Sequence, residues 1–192
     1  ATQSTNSKAP LFRSFPPVSE SYRIFPQIDD IVTLSTTPGE RLPSVNRNMN
    51  FRLTVRDNHA GNGGTCFTDM LVKVNNSGGA FTVTYPTNTN TDIWYEGQTK
   101  TVTWSKGNTD IAPFSVANVA IELSIDGGYT FPITLKASTP NDGSEDIVVT
   151  NDFTFAARIR VRALNNIFFN ISQNDFTISP NPVPVKWIDF TA

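Results

Sequence analysis

His59 and Cys66 are the only histidine and the only cysteine in a chain of 192 residues, and they stand seven positions apart. A thiol beside an imidazole is a nucleophile in the making, because the ring can take the proton and leave a thiolate. The surroundings argue for something plainer. No Gly-Ser-type signature flanks Cys66, its neighbours suit a strand, and His59 sits in a loop of Gly and Asn. One histidine cannot build a histidine-rich zinc site. The sequence has no metalloprotease helix with two histidines, no phosphate-binding Gly loop and no Gly-x-Ser-x-Gly elbow. Paired carboxylates offer one further acid–base route, and no spacing singles out a pair. These residues on their own do not read as an enzyme.

Hard oxygen ligands are more plentiful. Asp57, Asn58 and Asn62 lie in the loop DNHAGNGG, and Asp69 follows in the next strand. Carboxylates and amides of this kind are what calcium takes, although the spacing is not that of an EF-hand. Asp, Asn and Gly also build turns with no ion present. Asp126 falls in SIDGGYTF, residues 124–131, which matches the Asp-box pattern S-x-D-x-G-x-T-F/W. There the carboxylate is expected to accept hydrogen bonds from turn amides, with Gly at a backbone angle closed to other residues and Phe131 packed beneath. A stapled hairpin is the first reading of this turn, and a calcium or glycan site at Asp126 the second. Arg158, Arg160 and Arg162 form a basic stripe on one strand face. Such a stripe suits an acidic glycan or phosphate, or else carboxylates such as Glu122 on the next strand. Trp94, Tyr95, Trp104 and Trp187 stack on sugars if exposed and belong to the core if buried.

Strands must carry these groups. Val119, Ile121, Leu123 and Ile125 alternate with Ala120, Glu122, Ser124 and Asp126, which puts aliphatics on one face and polar groups on the other. Asp126-Gly127-Gly128 breaks the run, and Phe131, Ile133 and Leu135 resume it, so residues 116–135 read as a hairpin. The same period recurs at Phe51-Leu53-Val55, Met70-Val72-Val74, Phe81-Val83-Tyr85, Val102-Trp104 and Ile159-Val161-Ala163. No segment sustains a 3.6-residue apolar period. Residues 28–34 read as a short helical turn after Pro26 or as an edge strand. The count is about four strands in a first unit and about seven in a second, with turns every ~8–12 residues. The expected fold is all-β, with two consecutive antiparallel β-sandwiches of immunoglobulin or fibronectin III type. Residues 1–9 read as disordered or linker, 10–86 as a first sandwich with a Pro- and aromatic-rich opening, 87–180 as a second, and 181–192 as a linker into a further module. The boundary is expected in PTNTNTD, residues 86–92.

Composition narrows the classes of function. Charged residues make up only 17% and the net charge is −2, so no basic footprint calls for nucleic acid. Residues 1–86 carry a net +2 and residues 87–192 a net −4, in keeping with two units. No apolar run approaches the ~20 residues that span a membrane. A single cysteine forms no disulfide within the chain and leaves the compartment open. There is no starting Met, and PVKWIDFTA at the end, residues 184–192, reads as a strand just begun, so both ends read as cuts from a longer chain.

Four stretches carry a resemblance: NFRLTVRDN at 50–58, NVAIELSIDGGYTF at 118–131, PNDGS at 140–144 and RIRVRALNNIFFNISQNDFTI at 158–178. Together they resemble the β-sandwich region that follows the catalytic domain in secreted, reprolysin-like zinc metallopeptidases of Bacteroidetes-type bacteria. Residues 11–17 and 22–26 are similar to that region's opening. The resemblance covers nearly all of residues 10–180. The family's zinc-binding histidines have no counterpart here, so it implies a non-catalytic part of an exported, multidomain parent. Zinc would then belong only to a catalytic domain upstream. The implied partners are that protease domain and a protein or glycan substrate or cell surface, with secretion or surface display as the location. The differing class of reading is an adhesin or carbohydrate-binding module that uses exposed aromatics and the Arg stripe.

Overall fold

A computed structural model of the chain describes residues 4–16, 18–19, 21–57, 59–61, 63–86 and 92–182. Among these residues the fold is almost entirely β, in line with the alternating pattern: eleven strands, a five-residue α-helix and one 3-10 turn. Two compact units divide the chain, one of Ala1–Asp30 with Thr36–Ser77 and one of Ile31–Ser35 with Gly78–Ala192.

The first unit opens with irregular chain and α1 (Ile28–Val32), the helical alternative for this stretch. The division between units falls within that helix. The strands β1 (Arg47–Arg56) and β2 (Thr65–Val74) then form an antiparallel hairpin that is a complete two-stranded sheet among the described residues. Its register sets Phe51 opposite Met70 and Val55 opposite Cys66, so the apolar rows of both strands share one face. The inner end of that face packs on the opening segment, with the Phe51 ring 5.0 Å from Phe25 and 6.1 Å from Phe12. The opening segment makes little ladder pairing beyond the bridge of Phe12 with Glu40, since its prolines lack a donor. Buried carboxylates hold it instead. Glu40 accepts from Arg23 at 2.6 Å and from the Gln27 N–H at 3.1 Å. The Arg23 guanidinium also lies over the rings of Phe15 and Phe25. Asp30 accepts from both the N–H and the hydroxyl of Thr37, each at 2.9 Å.

The second unit contains β3 (Thr82–Tyr85), β4 (Ile93–Tyr95), β5 (Thr99–Ser105), β6 (Asn118–Ser124), β7 (Ile133–Pro140), β8 (Ser144–Val148), β9 (Thr154–Ala163), β10 (Phe169–Ile171) and β11 (Phe176–Ser179). One sheet runs β4-β11-β9-β6-β7, with β10 beside β9, and the other runs β3-β5-β8. All pairs are antiparallel except β4 with β11, which run parallel. Register makes the core. Ile121 lies opposite Val161 and Leu123 opposite Ile159, so the apolar rows of β6 and β9 meet on one face. Val102 and Trp104 of β5 and Ile147 of β8 belong to the same buried cluster, so the two sheets bury each other's inner rows. Trp104 finishes its polar business inside: its indole N–H donates to Asn141 Oδ1 at 2.9 Å.

The structure corrects two expectations. Residues 81–85 were expected to close the first unit, but β3 pairs with β5 across the second, with Val83 opposite Trp104. The first unit thus holds two strands among its described residues instead of about four, and the division falls between Ser77 and Gly78 instead of within residues 86–92. Alternation identifies a strand but not its partner, and it is the Trp104 face that claims β3. The second unit has nine strands, where about seven were expected. β4 and β10 are three residues each, too short for alternation to register. Residues 87–91 of the expected linker and 183–192 of the expected tail lie outside the described residues.

Candidate functional site

The polar groups singled out from sequence converge best on the outer face of the larger sheet. β6 and β9 are central strands, so their outward rows lie side by side: Glu122 is opposite Arg160, Ser124 opposite Arg158, and Ala120 opposite Arg162. The buried Glu122 carboxylate takes Arg160 Nε at 2.6 Å on one oxygen and Arg162 at 3.0 Å on the other. The Arg160 guanidinium is further sandwiched by rings, 4.2 Å from the Phe131 centroid and 5.7 Å from that of Phe169. Arg158 turns the other way. Its Nε donates to Asp175 at 2.6 Å and a terminal nitrogen donates to the Val32 carbonyl at 3.1 Å. Every guanidinium of the stripe therefore has a carboxylate of its own fold as partner, which is the plainer of the two readings of the stripe. Asp175 was not legible as a partner, because a single Asp in a loop gives no period to read.

The Asp-box turn closes one end of this face. Asp126 accepts from the Ser124 hydroxyl at 2.6 Å, the Tyr129 N–H at 3.1 Å, the Thr130 N–H at 3.0 Å and the Thr130 hydroxyl at 2.6 Å. Partial burial pushes this carboxyl up, but the hydrogen bonds from Ser124 and Thr130 outweigh it and hold the pKa at about 2. Gly127 and Gly128 both take positive φ, 78° and 94°. A Cβ on Gly128 would meet Arg158 Cδ at 2.9 Å, so the glycine also makes room for the arginine. The Gly127 N–H donates to the Ala156 carbonyl at 2.8 Å and ties the turn to β9.

The remaining oxygen ligands are engaged in hairpin chemistry. Asp57 accepts from the Gly64 N–H at 2.9 Å and the His59 N–H at 3.1 Å, and these bonds lower its pKa. Asp69 sits mid-strand in a two-pronged pair with Arg52, at 2.7 and 2.8 Å, which lowers its pKa as well. Asp126 belongs to the other unit. Asn58 and Asn62 lie outside the described residues. Among the described residues no group of three or more His, Cys, Asp or Glu side chains is placed to hold a metal ion. His59 Nδ1 lies 3.1 Å from the Gly61 carbonyl, and Cys66 is exposed on β2.

The aromatics divide. Trp94 is 1% exposed, with its ring 4.3 Å from Phe176 and stacked on Tyr85, so neither face is open to a sugar. Trp104 is buried, Tyr95 is half-buried beside the Gln98 side chain, and Trp187 lies outside the described residues. The aromatics that do face solvent in this unit, Phe155 at 85% and Tyr129 and Phe153 at about half, were not singled out. Asn141, in the stretch PNDGS, was quoted only for the resemblance it carries. It is buried, and its side chain bridges Trp104, Thr109 and Val116. Among the described residues no helix is long and apolar enough to cross a membrane. In comparison with known proteins, no family model matches the chain and no curated protein matches it significantly.

Proposed function

We propose that the chain is a non-catalytic accessory region of a secreted bacterial zinc metallopeptidase, with immunoglobulin- or fibronectin III-like sandwich architecture in the second unit. Its work is to space and stabilise the protease domain and to present large substrate to it. One observation carries the reading: the polar side chains best placed to react or bind are spent on internal bonds. Glu122, Arg158, Arg160, Arg162 and Asp126 all serve to hold strands and turns in place. A scaffold has that character, and the family in this reading comes from the resemblance of the four quoted stretches. The test deletes residues 10–180 from the parent enzyme. Hydrolysis of a short peptide should survive while casein hydrolysis and thermal stability fall. Chelator-sensitive casein hydrolysis by the purified 192-residue chain would overturn the reading.

A binding module of the adhesin or carbohydrate-binding class is the second reading. Exposed Tyr129, Phe153 and Phe155 favour it, not the buried Trp94. Glycan titration monitored by calorimetry, with Phe155→Ala as control, decides for it if heat appears with the parent chain and disappears with the variant.

A further inference from the structure

Residues 31–35 group with the second unit, although the chain on either side of them groups with the first. Of residues 31–36 only Val32 is buried, and Thr33, Leu34, Ser35 and Thr36 after it are exposed. A Cβ placed on Gly128 would meet a Val32 methyl group at 3.3 Å and an Ile171 methyl group at 3.6 Å, so the valine rests on the bare glycine with Ile171 as a wall. The Val32 carbonyl, one of those that a helix end leaves unpaired, accepts from the buried Arg158 guanidinium at 3.1 Å. Asp175 holds the same guanidinium through Nε at 2.6 Å and fixes its aim. The loop that carries Val32 is closed at its neck by bonds of its own, from the N–H and the hydroxyl of Thr37 to Asp30. Withdrawal of Val32 from Gly128 breaks neither of them. With one buried side chain at its tip, the loop belongs to the low-energy openings of a fold.

We propose that Gly128, Ile171, Arg158 and Asp175 form a peptide socket, and that residues 31–36 are a releasable plug in it. With the plug out, the socket takes a short peptide segment of the same chemistry from another chain: a β-branched aliphatic residue with its carbonyl unpaired. The contacts of Val32 define that ligand. The glycine floor and the Ile171 wall are apolar and call for an aliphatic branch. The guanidinium is already neutralised by Asp175, so it calls for a neutral carbonyl in place of a second carboxylate or a phosphate. A cationic side chain at the valine position meets Arg158 and is repelled.

The test titrates a fluorescein-labelled peptide of residues 26–38 with the 192-residue chain and follows anisotropy. Val32→Lys in the chain sets a cation before Arg158 and keeps the plug out. That variant should bind the peptide with half-saturation below about 1 mM, the effective concentration at which the chain's own plug competes, and the wild type should bind at least about 10-fold more weakly. The peptide carrying Val32→Lys should not bind. Hydrogen exchange should slow on binding around Gly128 and Ile171. Near-ultraviolet circular dichroism of the buried Trp94 and Trp104 shows whether the second unit stays folded. If Val32→Lys unfolds it, Val32→Ala takes its place and should bind about 5-fold more tightly than the wild type. Unfolding of both variants would overturn the proposal, because residues 31–36 are then part of the core and not a plug. So would equal binding by the wild type and a folded variant, no binding by that variant, undiminished binding of the lysine peptide, or slowed exchange elsewhere than at the socket.

Discussion

Asn141 and Asp126 are both turn residues by composition, and they do different work. Asn141 brings three hydrogen bonds into a buried place, and its removal strands the Trp104 indole N–H among aliphatics. Leaving a buried donor unpaired costs about 1–3 kcal/mol, so Asn141→Ala should lower the unfolding free energy of the second unit by about 3 kcal/mol in urea titration. The unfolding should be followed by tryptophan emission, and a loss below ~0.5 kcal/mol would mean that water takes the place of the amide. Asp126 is a surface group whose effect depends on pH. Its folded pKa of about 2 lies below the ordinary 3.8, so its contribution is present above the unfolded value and is lost as pH falls through the folded one. The wild type should therefore lose stability between pH 4 and pH 2 more steeply than Asp126→Asn. Because the group is exposed, solvent screening reduces the difference to about 1 kcal/mol. Thermal melts of both proteins across that window provide the check.

At the scale of elements, the β6–β7 hairpin was legible because three independent signals agree on it. Alternation sets the strands, Ser124-x-Asp126 sets the staple, and Gly127-Gly128 sets the turn. The structure adds a fourth requirement that no local pattern contains, since Gly128 must also let Arg158 pass beneath it. Gly128→Ala meets strained backbone and a steric clash together, and should cost about 2 kcal/mol or more. Gly97→Ala meets only the first penalty, since its φ is 78° and nothing lies within 4 Å of a Cβ there, and should cost about half as much. Denaturation midpoints of the two variants separate the clash from the strain. The Arg stripe was half legible. Glu122 could be named as a partner because it sits in an alternating strand beside the stripe, but Asp175 and the Val32 carbonyl are long-range partners with no local signature. Likewise β3 reads as a strand from Val83 and Tyr85, yet only the pairing with Trp104 reveals to which sheet it belongs.

Across the whole molecule the two units draw order from different sources. The second has a continuous apolar cluster between sheets, whereas the first relies on Glu40, Asp30 and stacked Arg23 around a hairpin. Burial of Glu40 could not be foreseen, because an isolated Glu in a Pro- and Gly-rich stretch has the composition of a loop. Residues 78–182 should fold alone with a cooperative melt. Losing the Val32 carbonyl that caps Arg158 should lower Tm by about 5 °C, in scanning calorimetry, and a non-cooperative melt would refute self-sufficiency. The pairing of β4 with β11 has a mechanical meaning. The Glu96 N–H donates to Ser179 and the Thr177 N–H to Asp92, each at 3.0 Å, between strands near the two ends of the unit that point the same way. Tension applied at Asp92 and at Ser179 would drag these strands past one another lengthwise, so that the bonds between them share the load and break together instead of opening one after another like a zip.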